Sequence, residues 1–115
     1  MRRTILAGIV SVVIALTAIP ASARGTTVYR SAELRITESI TDGATTWTFL
    51  NRTNHSVRAT CRWDNTVILT NGDTIEDSDY HWSTSLAANG RRSKRLVYGD
   101  GVVSIRSSNW RCRVR

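Results

Sequence analysis

Beyond residue 23 the sequence holds no stretch whose apolar residues recur at helical spacing, and no second long apolar run. It has one proline, Pro20, and neither a low-complexity linker nor an internal repeat that would join separate units. Cysteine is limited to Cys61 and Cys112. There is no C-x-x-C spacing, and neither His55 nor His81 lies near a cysteine in sequence, so a zinc site or thiol redox pair has no motif here. G-x-S-x-G and H-E-x-x-H are missing too, as are a nucleophile beside an evident base and a carboxylate pair suited to glycoside hydrolysis. These absences exclude a multidomain enzyme and a helical bundle. The chain is expected to be non-enzymatic, with no catalytic residue, no metal and no cofactor.

What is present begins with an export pattern. Arg2 and Arg3 precede an apolar run from Ile5 to Ile19, and Pro20 leads into Ala21-Ser22-Ala23, a small-residue cleavage site. The run falls short of the roughly 20 residues a membrane-spanning helix needs. No cysteine near the cleavage point offers a lipid anchor. Residues 1–23 are therefore expected to be a cleavable secretory signal peptide. Residues 24–115 should form one secreted, extracellular domain without a membrane span.

An even pair of cysteines in an exported domain points to a Cys61–Cys112 disulfide, because the compartment is oxidising and a small core gains from the cross-link. Closing a loop of about 50 residues is worth about 4 kcal/mol by chain-entropy reasoning.

Thr, Val, Ile and aromatic residues fall in short alternating runs separated by Gly and Asn, which is the pattern of half-buried strands. Ala32, Leu34 and Ile36 share a face opposite Glu33, Arg35 and Thr37. Asp42-Gly43 marks a hairpin into a strand carrying Trp47 and Phe49. After a polar corner at Asn51–Asn54, Val57, Ala59, Cys61 and Trp63 alternate with Arg58, Thr60, Arg62 and Asp64. A short run at Val67–Leu69 ends at the Asn71-Gly72 turn, and Tyr80, Trp82 and Leu86 share a face in the next run. Asn89-Gly90 and Gly99-Asp100-Gly101 then bracket Leu96 and Val97. Val103 and Ile105 open the last segment. A phase break near Ser107-Ser108 predicts a bulge, beyond which Trp110, Cys112 and Val114 oppose Arg111, Arg113 and Arg115. About seven short strands of this spacing predict an all-β, antiparallel β-sandwich clasped by the disulfide, with Trp63 and Trp110 packed around the bridge.

The segments Phe49-Leu50-Asn51-Arg52-Thr53-Asn54-His55-Ser56-Val57, Trp63-Asp64 and Leu86-Ala87-Ala88-Asn89-Gly90 resemble bacterial extracytoplasmic immunoglobulin-like domains of the FxLYD type. The resemblance implies an immunoglobulin-like sandwich in an envelope or extracellular setting. It carries no catalytic residues with it.

Charge is uneven along the chain. The net formal charge is +7, with 16 basic and 9 acidic residues, and from Arg91 onward eight basic residues face one acid, Asp100. These eight, Arg91, Arg92, Lys94, Arg95, Arg106, Arg111, Arg113 and Arg115, form the candidate anion-binding set. Alternate strand positions share a face, so Arg111, Arg113 and Arg115 should make a stripe that pairing brings close to Arg91 or Arg95. Guanidinium forks suit phosphate and carboxylate. The implied partner is an anionic envelope polymer or an acidic protein surface, with nucleic acid not the expected physiological one; the plainer alternative is a solvated cationic face. Asp73, Glu76, Asp77 and Asp79 are expected in a solvated loop or paired with the arginine stripe, and their spacing does not fit a calcium-binding EF-hand. The four tryptophans read as core by parity, with Tyr80 and Trp82 the candidates for sugar stacking in a carbohydrate-binding alternative. Enzyme inhibition is a further alternative.

Overall fold

The computed structural model describes residues 25–115; the expected signal peptide, residues 1–23, lies outside the described residues. The alternating runs form β1 (Thr26–Arg30), β2 (Leu34–Thr41), β3 (Ala44–Asn51), β4 (Val57–Leu69), β5 (Thr74–Leu86), β6 (Arg91–Val97) and β7 (Val102–Val114). They make two antiparallel sheets, ordered β1-β2-β3-β6 and β5-β4-β7, which is the expected seven-strand sandwich. Among the described residues no helix is long and apolar enough to cross a membrane. Hairpins β2–β3 and β4–β5 lie in different sheets, and β6 and β7 then return to β3 and β4, one to each sheet. An antibody constant domain also divides four strands from three, but orders them differently and bridges its sheets with the disulfide. Here Cys61 and Cys112 lie directly opposite on neighbouring strands of one sheet, their Cα atoms 4.0 Å apart. The bond therefore clasps β7 to β4 and does not join the two layers.

Turn chemistry sets several of these junctions. Thr41 pairs with Ala44 across a two-residue loop, and Gly43 takes a φ of 85°, a conformation glycine reaches without a Cβ penalty. Other junctions differ from the sequence pattern. Strand β1 has no clear alternation of its own and is set by pairing along β2. Ala32 is exposed ahead of β2, where the Ser31 hydroxyl accepts from the Leu34 backbone N–H at 3.1 Å and turns the chain. The runs at Val57–Asp64 and Val67–Leu69 merge into one 13-residue strand, because register shifts absorb the phase change between them. One bulge places Asp79 of β5 at φ 65°, and the other places Asn109 of β7 at φ 55°, just beyond the predicted Ser107-Ser108 break. Glu76, Asp77 and Asp79 are not in a loop: they belong to β5, an edge strand that pairs with the far half of β4 and leaves their side chains in water.

Leu34, Ile36, Trp47 and Phe49 of one sheet meet Val57, Ala59, Cys61, Trp63 and Leu86 of the other. Trp47 and Trp63 are fully buried and pack across the interface at 5.2 Å between ring centroids. Trp110 stacks on Trp63 at 4.3 Å, so both tryptophans do flank the bridge. Burying large side chains of this kind contributes roughly 1.5–3 kcal/mol each, and this layer supplies most of the driving force for the sandwich.

Buried polar groups hold the layers in register. The Glu38 Oε1 atom accepts from Trp47 Nε1 at 2.9 Å, the Ser107 backbone N–H at 2.8 Å and the Ser107 hydroxyl at 2.5 Å, tying β2 to β7. Trp110 Nε1 donates to the same Ser107 hydroxyl at 2.8 Å. Nearby, the Thr45 hydroxyl donates to the Ile105 carbonyl at 2.7 Å and meets the Tyr98 hydroxyl, which accepts from the Ile105 N–H at 3.1 Å. Asn65 and Trp63 Nε1 are buried in the same layer without protein partners. At the other end the buried Asn51 amide donates to the carbonyls of His55, Leu86 and Ala87, and its oxygen accepts from the Thr53 N–H and hydroxyl. The polar corner is thus a cap that joins three chain segments, with the Asn51 side chain fully buried within it.

Two outcomes follow from this wiring. Asn51→Ala strands three carbonyls and should cost about 2–3 kcal/mol in denaturant unfolding. Asn51→Asp should cost more, since it sets a carboxylate oxygen against those carbonyls. Cys61→Ser with Cys112→Ser should lower unfolding stability by about 4 kcal/mol, and adding reductant to that double variant should change nothing further.

Candidate functional site: an arginine face on β4 and β7

In an antiparallel pair, residues directly opposite each other alternate between hydrogen-bonded and non-hydrogen-bonded sites. Arg58 and Arg115 exchange both backbone bonds, at 2.9 and 3.0 Å. Two residues along β4, Thr60 faces Arg113, and two further on Arg62 faces Arg111. Cys61–Cys112 lies between these last two rows with its sulfurs on the opposite, inward face. Strand β5 completes the outer surface with Ser85 beside Arg58, Ser83 beside Thr60 and His81 beside Arg62. Five arginines therefore stand on one outward face among Ser, Thr and His. Thr60, Arg62, Arg111, Cys112 and Arg113 line an open depression there.

Polar groups fix the margins of this face. Ser83 donates to the Thr60 hydroxyl at 3.0 Å, and an Arg58 guanidinium N–H reaches the Ser85 hydroxyl at 3.5 Å. Asp64 ends it. Its Oδ2 accepts from Asn109 Nδ2 at 2.9 Å, its Oδ1 from the Asp79 backbone N–H at 3.4 Å, and Arg111 stands 3.7 Å from Oδ1. One carboxylate thus pins both bulges. Among the described residues, Asp64–Arg111 is the single ion pair within 4 Å.

The eight basic residues predicted as one set separate into four places. Arg111, Arg113 and Arg115 form the expected stripe. Arg91 and Arg95 do not approach it, because β6 pairs with β3 in the other sheet and the two strands lie in different layers. Those residues share the far outer face with Ser93, whose hydroxyl meets that of Thr48 at 3.0 Å. Arg92 and Lys94 stand opposite Phe49 and Trp47 on the inward side of that edge, where Lys94 Nζ sits 5.7 Å from the Trp82 ring centre. Arg106 lines a separate groove with Thr26, Glu38, Ser39 and Thr41. Arg58 and Arg62 were missing from the predicted set. Their outward phase was legible, but the neighbour of β4 was not; once Cys61 and Cys112 are placed opposite, antiparallel counting sets Arg62 against Arg111 and Arg58 against Arg115.

Tyr80 stacks on Trp63 at 6.1 Å, and Trp82 packs edge-on against Phe49 at 4.8 Å while Lys94 covers its ring, so both side chains are engaged with the core. The acidic residues of β5 make no ion pair with the arginine face. Asp73 instead closes its own turn, its N–H donating to Asn71 Oδ1 at 2.9 Å. No group of three or more His, Cys, Asp or Glu side chains among the described residues is placed to hold a metal ion.

No protein-family model matches the chain, and no curated protein matches it either. Among solved structures it is similar to a DUF1425 family member from Shewanella sp. pv-4, at 13% identity and a TM-score of 0.39, over 79% of this chain and 95% of that one.

The hydrogen bond from Asn109, then the Asp79 N–H, then the charge of Arg111 hold the Asp64 carboxyl below its ordinary value, against the opposing effect of desolvation. A carboxyl whose folded value is depressed stabilises the fold above its unfolded value, near pH 4, and the contribution disappears as pH falls through the lowered native value. Asp64→Asn should therefore flatten the loss of thermal stability between about pH 5 and pH 2 relative to the parent protein, measured by melting at each pH.

Proposed function

We propose that this is a small exported, non-enzymatic binding module, a disulfide-clasped sandwich of the bacterial immunoglobulin-like kind. Its arginine face on β4 and β7 engages an anionic envelope polymer or an acidic protein surface. The export pattern of residues 1–23 and the cysteine pair support an oxidising, extracytoplasmic setting.

One observation carries the proposal. Arg58 opposes Arg115 and Arg62 opposes Arg111, and like charges directly across a sheet are destabilising. A face that only needed solubility would tolerate alternating signs, and the acids of β5 are close at hand in sequence to provide them. Instead the acids sit beyond the bulges, and one carboxylate alone touches the block. The protein keeps a local repulsion that an anionic ligand would relieve.

Arg58→Gln with Arg62→Gln should leave unfolding stability unchanged or raise it, by about 0.2–1 kcal/mol per relieved pair. The same variant should lose most of its affinity for isolated envelope polyanion, and parent affinity should fall steeply as salt rises. Parent affinity that is unchanged at high salt would remove the electrostatic basis of binding.

A further inference from the structure

Spacing along β7 says more than charge does. Arg111, Arg113 and Arg115 project from one face at every second residue, a repeat of about 7 Å at strand rise. Arg58 and Arg62 flank this file from β4, about 14 Å apart, beside its two ends, while Thr60 leaves its centre open. The face thus offers a file of three cations with reinforced ends. A ligand lying along it satisfies all three positions when its own charges repeat at the same interval.

A strand residue spans three main-chain bonds, so about 7 Å corresponds to six bonds of an extended chain. Phosphodiesters joined through three-carbon units are separated by six bonds, P–O–C–C–C–O–P, and each remains charged while serving as a main-chain link. Inorganic polyphosphate, with two bonds between phosphorus atoms, is far denser. Polycarboxylates carry their charges on side groups, off the main chain. Guanidinium forks match the non-bridging oxygens of a phosphodiester.

Nucleic acids share the six-bond repeat, but single strands gain much of their affinity by stacking bases on aromatic side chains. The outer face has no Trp, Tyr or Phe, since Trp63, Tyr80, Trp82 and Trp110 all pack on the inward side.

We infer that the arginine face binds a base-free linear phosphodiester polymer whose phosphates are linked through three-carbon units, lying along β7. This rests on the anion-binding role proposed for that face. The test compares poly(glycerol phosphate), inorganic polyphosphate, poly-α-glutamate and a single-stranded oligonucleotide, at equal charge and equal salt, on the full oxidised protein. Poly(glycerol phosphate) should bind at least about tenfold tighter than polyphosphate or polyglutamate. The charge-conserving exchange Arg113→Ser with Ser83→Arg breaks the file on β7, builds no second file on β4, and leaves net charge unchanged. It should erase that preference while leaving polyphosphate binding in place, and an unchanged melting temperature would show that the fold is kept. Arg92→Ser, on the other sheet, should have no effect.

Equal binding of the first three polymers, or an exchange variant that keeps the preference, overturns the spacing inference and leaves the anion face standing. An oligonucleotide that binds more tightly than poly(glycerol phosphate) overturns the choice of a base-free ligand. No measurable binding of any of the four overturns both the spacing inference and the proposed function.

Discussion

The pairing of β7 with β4 is the interaction on which the rest of the molecule depends. Strand side chains alternate faces, so a slip of one residue would turn Trp110 and Cys112 outward and bring Arg111 and Arg113 into the core. Cys61–Cys112 forbids that slip, since only one register sets the two cysteines opposite each other. The bond thereby fixes two surfaces together. Inside, it places Trp110 on Trp63 to close the aromatic layer. Outside, it sets arginine against arginine.

An edge strand bearing so much like charge has a weak claim on its neighbour, and β7 is held by more than sulfur. Its first half is anchored from the opposite sheet, where Glu38, Thr45 and Tyr98 bond the backbone of Ile105 and Ser107. These side chains occupy polar groups that a free edge would offer to another chain, which protects this half from edge-to-edge pairing. Its second half is anchored by the disulfide. Between the two lies the bulge at Asn109, and Asp64 gathers that bulge and its counterpart at Asp79 with one carboxylate. Glu38 is similar in kind: a buried acid becomes tolerable because three donors converge on one oxygen.

How far the sequence alone reaches depends on whether a feature is local. The strands with period-two alternation, the Asp42-Gly43 hairpin and the inward phase of Trp47, Trp63 and Trp110 are all local properties and were legible. So was the phase break before Trp110, because a bulge changes parity over a few residues. The layer assignment of β6 and β7 was not, since it depends on which earlier strand each returns to, and this is decided by the combined fit of Glu38, Thr45 and the tryptophans across the interface. That one missing link dispersed the predicted basic set and hid Arg58 and Arg62. The acidic run resembles a loop in sequence for a related reason. A strand at a sheet edge with solvent on both sides has no apolar phase to display, and β5 from Thr74 to Asp79 is held by backbone pairing to β4.

In the proposed role, stability and recognition meet on the same two strands. Repulsion between outward arginines favours splaying of β4 and β7, while the indole stack and the disulfide beneath them oppose it, so the two strands keep their register. A face held in register in this way would lose little backbone freedom on binding the proposed polymer, which lowers the cost of capture. An anionic ligand of the proposed kind would remove the term that opposes folding, and linkage would then require binding and stability to rise together. The disulfide is therefore a condition for the arginine block as well as a prop for a small core: without the bond, the same charges would favour a slipped or frayed edge. The arginine block stands directly over the covalent clasp, with the Trp63–Trp110 stack beneath it, because the one register that closes the core also sets the outward charges.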